Sequence, residues 1–560
     1  MKISNIIILF CLAGFCAVQT IAQTDPHKVE MTVVAPYQPD IKDANKINFN
    51  PVSNDTTEPK PNFSYKILNN QIKVKYEPEA IEAAKMTGEP ITKLYSNYLK
   101  AGGGSYFTSY GEYWYMNTRS KTKSFGGHVK HKASSGKIQD YGFPGFSENA
   151  IDLNGSYYKD KQFNLTGKTG FSRDVVHFYG YNPTDFTPEP SKNDIKQRFS
   201  TIKLSGKISS VYTDSSKVGY QAGLDFYHLT DKFNTREMNI CVYGKVGQTK
   251  KFSDLSPTQH WELKTAVDFF NDKSATWSSH SSAIVTLNPA IETKVKDLEI
   301  RFGIKTEVEA DSTAFLRIHP DIKLGLTLIP YWLRLNAGFD GGTERNSFFK
   351  FIQENPFVVS DIQLMYKDIK YRIYGGINST LFHVLDVQVS FSKSQIKNMP
   401  FYVNDLAMPY QNKFRVIYDD DCGLFEINSE IAYQWSEVFR SMIRFNYHQY
   451  TTSTNQALPW QRPDYDFSIG GKYNLQNKIL VGAEFIYYDR MYALSYNSQG
   501  KVESKFIRSR PDFNLSFEYR YTKMLSAFIN LNNLTNTRYY FWNNYPSQKF
   551  NVLAGLTFTF

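Results

Sequence analysis

The chain has 560 residues, with 39 Tyr and 42 Phe, so aromatics make up 16% of it while charged residues make up only 21%. That aromatic content excludes disorder for most of the chain, and no run of ~18 apolar residues beyond the N-terminus allows a membrane-crossing helix. Lys and Arg number 64 against 54 Asp and Glu, a net charge of +10, but no block of basic residues and no nucleic-acid motif accompanies it, so nucleic acid is not an expected partner.

Residues 1–22 read as a secretory signal. Lys2 gives the positive start, Ile6 to Val18 the apolar stretch, and Thr20-Ile21-Ala22 the small-x-small cleavage site before Gln23. Cys11 and Cys16 fall inside this segment. Each follows a Phe (Phe10, Phe15) where a lipidation signal has a small residue, so no lipid anchor is expected. Cys241 and Cys422 remain, either as a disulfide in an oxidising compartment or as two isolated thiols. Residues 23–93 carry Pro26, Pro36, Pro39, Pro51, Pro59, Pro61, Pro78 and Pro90 among short polar stretches. That texture predicts an extended periplasmic arm with one short helix at Pro78 to Met86.

From Leu94 to Phe560 period-two alternation dominates. Phe513, Leu515, Phe517, Tyr519 and Tyr521 oppose Asp512, Asn514, Ser516, Glu518 and Arg520; Leu298, Ile300, Phe302 and Ile304 oppose Glu299, Arg301 and Gly303. A soluble sandwich also alternates. Three features favour a membrane barrel instead, the first being the secretory signal. The runs last ~10–15 residues, where soluble strands average nearer five or six and tilted membrane strands need ~9–11. Aromatics also gather at strand ends, as in Tyr113-Trp114-Tyr115, Tyr487-Tyr488 and Tyr539-Tyr540-Phe541-Trp542, which suits interfacial girdles.

Tight turns at 117–122, 159–161, 213–217, 294–297, 436–437, 474–477 and 521–523 alternate with wider connections at 132–149, 174–196, 342–367, 394–411, 450–463, 493–509 and 535–549. The predicted fold is all-β: a transmembrane antiparallel up-and-down β-barrel of about 22 strands, within a range of about 18–22. Tight turns are expected at the periplasmic end and wide ones outside. The first strand pair, Leu94 to Asn117, is interrupted by Gly102-Gly103-Gly104.

On the alternation, Arg334, Asp340, Arg444, His448, Glu518 and Arg520 are candidates to line the lumen, where they could select solutes or anchor a plug. A merely hydrated, self-neutralised wall is the plainer alternative. His128 and His131 have metal-like spacing but would face opposite sides of a strand, and Asp419-Asp420-Asp421 reads as a solvated rim cluster. No catalytic motif stands out, so neither enzyme activity, a cofactor nor a metal is expected.

The chain ends on Phe550, Val552, Ala554, Leu556, Phe558 and Phe560 along one face. Gly555, Phe558 and Phe560 resemble the C-terminal signal of outer-membrane barrels, which implies the barrel-assembly machinery as a partner during biogenesis. Asn530-Leu531-Asn532-Asn533-Leu534-Thr535-Asn536-Thr537-Arg538-Tyr539-Tyr540, followed by Tyr545-Pro546, resembles the segment before the last strand of TonB-dependent receptors. Glu30-Met31-Thr32-Val33-Val34-Ala35 looks like a TonB-box-type stretch.

The resemblance covers Leu94 to Phe560 and implies a solute-admitting barrel in the outer-membrane lipid. It departs from the family where a plug would lie, because residues 23–93 are Pro-rich and short. The nearer likeness is to plug-less TonB-receptor-like barrels of Bacteroidota-type outer membranes, so dependence on TonB is not expected. A barrel this wide needs its lumen filled. The wide connections are modest, so the arm or a plugging or surface partner protein is expected to close it. The competing reading is a plugged scaffold subunit of an outer-membrane assembly or secretion complex.

Overall fold

A computed structural model describes residues 94–560, apart from 161, 213–216, 252–253, 255, 257, 277, 312, 408–409, 454–457 and 497–501. The readings of the signal, the arm and Glu30–Ala35 lie outside the described residues.

The strands in chain order are β1 (Asn97–Gly104), β2 (Thr108–Met116), β3 (Lys123–Ser134), β4 (Phe146–Lys159), β5 (Phe163–His177), β6 (Lys196–Ser210), β7 (Gly219–Asp231), β8 (Arg236–Lys250), β9 (Gln259–Lys273) and β10 (His280–Val295). They continue as β11 (Leu298–Ala310), β12 (Ala314–Ile329), β13 (Leu333–Arg345), β14 (Tyr366–Leu381), β15 (Leu385–Lys397), β16 (Met399–Asn404), β17 (Phe414–Asp419), β18 (Cys422–Trp435) and β19 (Phe439–Thr451). The last are β20 (Tyr465–Leu475), β21 (Ile479–Tyr488), β22 (Met491–Tyr496), β23 (Val502–Ile507), β24 (Arg510–Arg520), β25 (Leu525–Asn532), β26 (Tyr540–Trp542), β27 (Tyr545–Pro546) and β28 (Asn551–Thr559). A short α-helix, α1 (Phe348–Glu354), interrupts the connection after β13.

Twenty-two of these strands form one sheet, and the pairs β16–β17, β22–β23 and β26–β27 stand apart from it. Each wall strand is antiparallel to its neighbours, and β1 pairs with both β2 and β28, which closes the ring. Closure leaves no unpaired backbone edge, the condition for crossing hydrocarbon.

The alternation explains which way each side chain points. On β11, Phe302 is 58% exposed while Arg301 on the other face is 6% exposed. Leu153, Ile202, Val242, Ile291 and Ile373 are likewise exposed apolar residues on the outer face. In water such a band would cost about 25 cal/mol per Å²; in hydrocarbon it costs nothing, and the polar face is left to the lumen. Tyr465 and Tyr487 stack at 5.8 Å, and Trp332 meets Phe382 at 5.9 Å, as girdle aromatics do.

The glycine run belongs to the seam. Gly102 sits opposite Gly555 in the β1–β28 pair. A Cβ on Gly102 would lie 2.6 Å from the Ala554 carbonyl oxygen, and one on Gly555 would run into the Ala101 carbonyl. The run therefore ends β1 at a close strand approach instead of breaking the first strand pair.

At one end the turns are short, among them 296–297, 330–332 and 436–438. The other end carries 135–145, 178–195, 346–365, 398–421, 452–464, 489–509 and 533–550. By the usual asymmetry this second end is the outer one. Tight turns are not confined to the inner end: 105–107 and 232–235 lie on the outer side. Composition alone could not assign these turns to an end.

Candidate functional site: a lid built from the outer connections

Five of the wide connections converge on one apolar core. Ile138, Tyr179, Phe351, Val358, Phe414 and Tyr545 belong to it, together with Phe199 and Leu229 from the wall. Tyr545 is its centre, with no exposed surface. Its ring stacks on Phe357 at 3.7 Å and meets Tyr179 edge-on at 4.9 Å, while its hydroxyl donates to the Asn412 carbonyl. Asn412 Nδ2 in turn donates to the Phe178 carbonyl at 2.6 Å.

That last bond spans the mouth. Segment 178–195 follows β5 and segment 398–421 follows β15, so the ten strands β6 to β15 lie between them along one arc and 22 − 10 = 12 along the other. The two connections rise from almost opposite sides of the ring and touch. Tyr179 Oη donates to the Pro546 carbonyl at 2.9 Å, and Asn543 Nδ2 donates to Asn404 Oδ1 at 2.8 Å, which ties in the last connection. Among the described residues, the connections thus bridge the outer mouth. Their length matters less than the aromatic side chains they bring to one point.

The β16–β17 hairpin forms the middle layer. Every residue from Pro400 to Asn404 is buried. Tyr402, Phe414 and Val416 face the Tyr545 core, while Phe401 and Val403 face a second core with Trp460. The alternation is that of a strand, but both faces are covered.

Helix α1 is the keystone on the wall side. Ser347 caps it by accepting from Lys350 N at 3.2 Å. Ahead of its first turn, Glu237 of β8 accepts from Phe348 N at 2.6 Å and Phe349 N at 3.0 Å, a carboxylate where the helix leaves its amides unpaired. Tyr227 Oη adds a third donor at 2.8 Å. Arg345 pairs with Asp272 just before the helix. At the far end Glu354 accepts from Tyr402 Oη at 2.7 Å and pairs with Arg462. Beyond it, Thr235 Oγ1 donates to the Ser360 carbonyl at 2.8 Å.

Burial sets the electrostatics of the lid. It pushes the phenols of Tyr179, Tyr402 and Tyr545 above their usual value. It lowers the Lys413 ammonium, against the opposing pull of Asp405. Lys413 Nζ lies 4.8 Å from each of the Phe178 and Phe233 ring centroids. Beneath the lid is a cavity of about 700 Å³, with Tyr179, Phe357 and Trp542 above and Glu148, Asp174 and Asn532 from the wall.

The sequence candidates fall into separate ion pairs. Arg334 pairs with Glu299 at 2.5 Å, Asp340 with Arg372 at 2.7 Å, and Arg444 with Glu430 at 2.9 Å. His448 lies 3.4 Å from Glu426, and Arg520 lies 3.8 Å from Glu518. The densest cluster centres on Arg301, which was legible only as one polar position of β11. Its guanidinium meets Glu262 and Asp321 at 3.0 Å and Glu292 at 2.5 Å. His128 and His131 take separate partners, Glu112 and Asn149. No group that could hold a metal occurs among the described residues.

Asp419 is buried and accepts from Asp421 N and Ser453 N, so it staples a loop where a solvated rim residue was expected. Cys241 and Cys422 are free.

Parts of two aromatic runs read as girdle segments do other work. Tyr539 and Trp542 belong to the lid; Trp542 packs against Tyr402 at 5.1 Å. In Tyr113-Trp114-Tyr115 the middle ring faces the lumen and stacks on His128. Asn533, from the receptor-like segment, holds the last connection by donating to the Thr537 and Gln548 carbonyls at 2.8 and 3.0 Å. Gly555 lies at the seam, and Phe558 stacks on Phe560 at 5.2 Å.

No family model matches the chain, nor does any curated protein. Among solved structures it is similar to the ferripyoverdine receptor of the outer membrane of Pseudomonas aeruginosa bound to ferripyoverdine (11% identity, TM-score 0.63, 84% of this chain and 72% of that one). It is similar also to the siderophore receptor PirA from Acinetobacter baumannii (10% identity, TM-score 0.63, 84% and 81%) and to the FrpB iron transporter from Neisseria meningitidis (8% identity, TM-score 0.61, 84% and 82%). The fold is therefore that of the TonB-dependent outer-membrane receptors, a closed 22-strand barrel. With its apolar outer band, the protein is an outer-membrane β-barrel.

Proposed function

We propose that the protein is a gated transporter: the lid closes the outer mouth, and a solute enters the lumen when the lid lifts. The observation that carries this is the bridge from Phe178 through Asn412 to Tyr545, which joins connections from opposite sides of the ring. The similar structures are receptors and transporters and not enzymes, which supports a non-catalytic role. The burial of all of Pro400 to Asn404 favours a second reading, a scaffold subunit whose lumen stays blocked. Conductance in a planar bilayer, measured alongside stable co-purifying chains, separates the two. A permanently silent barrel with stoichiometric partners would sink the transporter.

On this proposal residues 1–22 are a secretory signal and 23–93 a periplasmic arm without a plug fold. The lid then takes over part of the closure, and TonB need not act through Glu30–Ala35. Deleting 23–93 should raise conductance only if the arm also obstructs the lumen. Gly555, Phe558 and Phe560 would be read by the barrel-assembly machinery. The lumen charges Arg334, Asp340, Arg444, His448, Glu518 and Arg520 would tune which solutes pass.

A further inference from the structure

We propose that the lumen wall made by β2–β7 carries a binding site for a neutral, hydroxyl-rich ring solute, a saccharide, centred on Trp114. The proposal deepens the transporter reading and rests on it for the solute's route.

Trp114 is 42% exposed although it points into the lumen. An indole left facing a polar lumen is costly unless something covers it. It is also held still. Trp114 Nε1 donates to Glu112 Oε1 at 2.9 Å, and one ring face lies on His128 at 3.7 Å and 17°. His128 is fixed by Glu112 at 3.1 Å and Asp152 at 3.4 Å. Glu112 also accepts from Tyr110 Oη at 2.6 Å, so its oxygens are committed to positioning the platform.

The platform borders a cavity of about 600 Å³ that reaches Phe349 of α1, within the size range of small-molecule sites. Its rim charges are Lys168 and Lys203 against Asp152 and Asp225, 2 − 2 = 0. An anionic chelate would meet the carboxylates, and a polyamine would meet the lysines. A neutral solute avoids both, and hydroxyls can serve donors and acceptors alike. A pyranose offers that edge together with an apolar C–H face for an aromatic ring. Tyr227 and Phe349, 4.7 Å apart, close the upper end toward the lid, with Lys203 Nζ 4.7 Å from the Phe349 ring centroid. The wall around Arg301 is built of ion pairs instead.

The test is binding to the full chain in a detergent without a sugar headgroup. Maltohexaose, cellohexaose and xylohexaose are titrated by calorimetry, with a ferric catecholate chelate and spermidine as charged comparators. The same titrations are run on a lid-released form, Tyr545→Ala, which lies outside the cavity lining, so that access is not the limit. At least one hexasaccharide should bind saturably in one of the two forms. Trp114→Ala should weaken that binding about tenfold, and Asp225→Asn, which spares the platform, should weaken it severalfold. Heat-modifiable mobility confirms folded barrels. No saccharide binding in either form, unchanged affinity in Trp114→Ala, or preference for the chelate or spermidine overturns the site. Uptake by proteoliposomes is read separately. Binding without uptake supports the site and defeats the transporter; uptake without saccharide binding does the reverse.

Discussion

Replacing Tyr545 by Ala should open the outer mouth. The residue is wholly buried and touches Phe357, Tyr179 and Phe414, each contributed by a different connection. Truncating a buried aromatic to Ala costs about 3–5 kcal/mol. The lost hydroxyl bond to Asn412 is worth about 1 kcal/mol of that range, so Tyr545→Phe isolates it. At about 1.4 kcal/mol per decade, Ala should shift the closed-to-open ratio by roughly a hundredfold or more, and Phe by only about fivefold. The barrel wall keeps its own hydrogen bonds, so heat-modifiable mobility should not change. The assay is single-barrel conductance in a planar bilayer, with hydrogen exchange on 533–550 to confirm the loosening. A lid that exchanges freely in Tyr545→Ala while conductance stays at the wild-type level would refute the lid as barrier.

Three further outcomes are expected. Gly555→Ala should sharply reduce the yield of closed barrel, because its Cβ meets the Ala101 carbonyl, whereas Gly103→Ala, whose nearest neighbour is 3.6 Å away, should fold normally; yields of the heat-modifiable form decide it. Alkaline pH should open the lid. The phenols of Tyr179, Tyr402 and Tyr545 titrate near 10 once freed but above it when buried, so their contribution is complete below about pH 10 and lost above it. Lys413, held below its usual value, works in the opposite sense but is one group against three. Conductance flat from pH 8 to 11 would contradict this. Arg462→Met should leave Glu354 without its cation; because the Glu354 carboxylate is partly solvated, the loss should loosen 452–464 by only about 1 kcal/mol, read as faster hydrogen exchange there and not in the β8–β12 wall.

Much of the wall was legible because its physics is local. A residue between lipid and lumen must alternate, so β11 and β24 declare themselves, and the strand total of about 22 follows from counting turns. The lid was not legible, because its determinants are long-range. Tyr539 and Trp542 look the same in sequence whether they meet headgroups or Tyr402, and only the closed ring brings segment 533–550 over 398–421. Trp114 was misread for a simpler reason: within three consecutive aromatics the middle one must face the other way, so its neighbours' girdle role could not be its own. The glycines at 102–104 were visible, but their cause, the close approach of β28, lies at the opposite end of the chain.

The central claim is that the lid gates passage. It is tested most directly by locking the lid. Asn404 and Asn543 touch across two connections. In a chain with Cys241 and Cys422 replaced by Ser, Asn404→Cys and Asn543→Cys can be joined by a cleavable crosslinker and solute uptake measured in proteoliposomes. Uptake that stops on crosslinking and returns on cleavage is the expected result. Uptake that continues through a locked lid, or that is missing before and after cleavage, would contradict it.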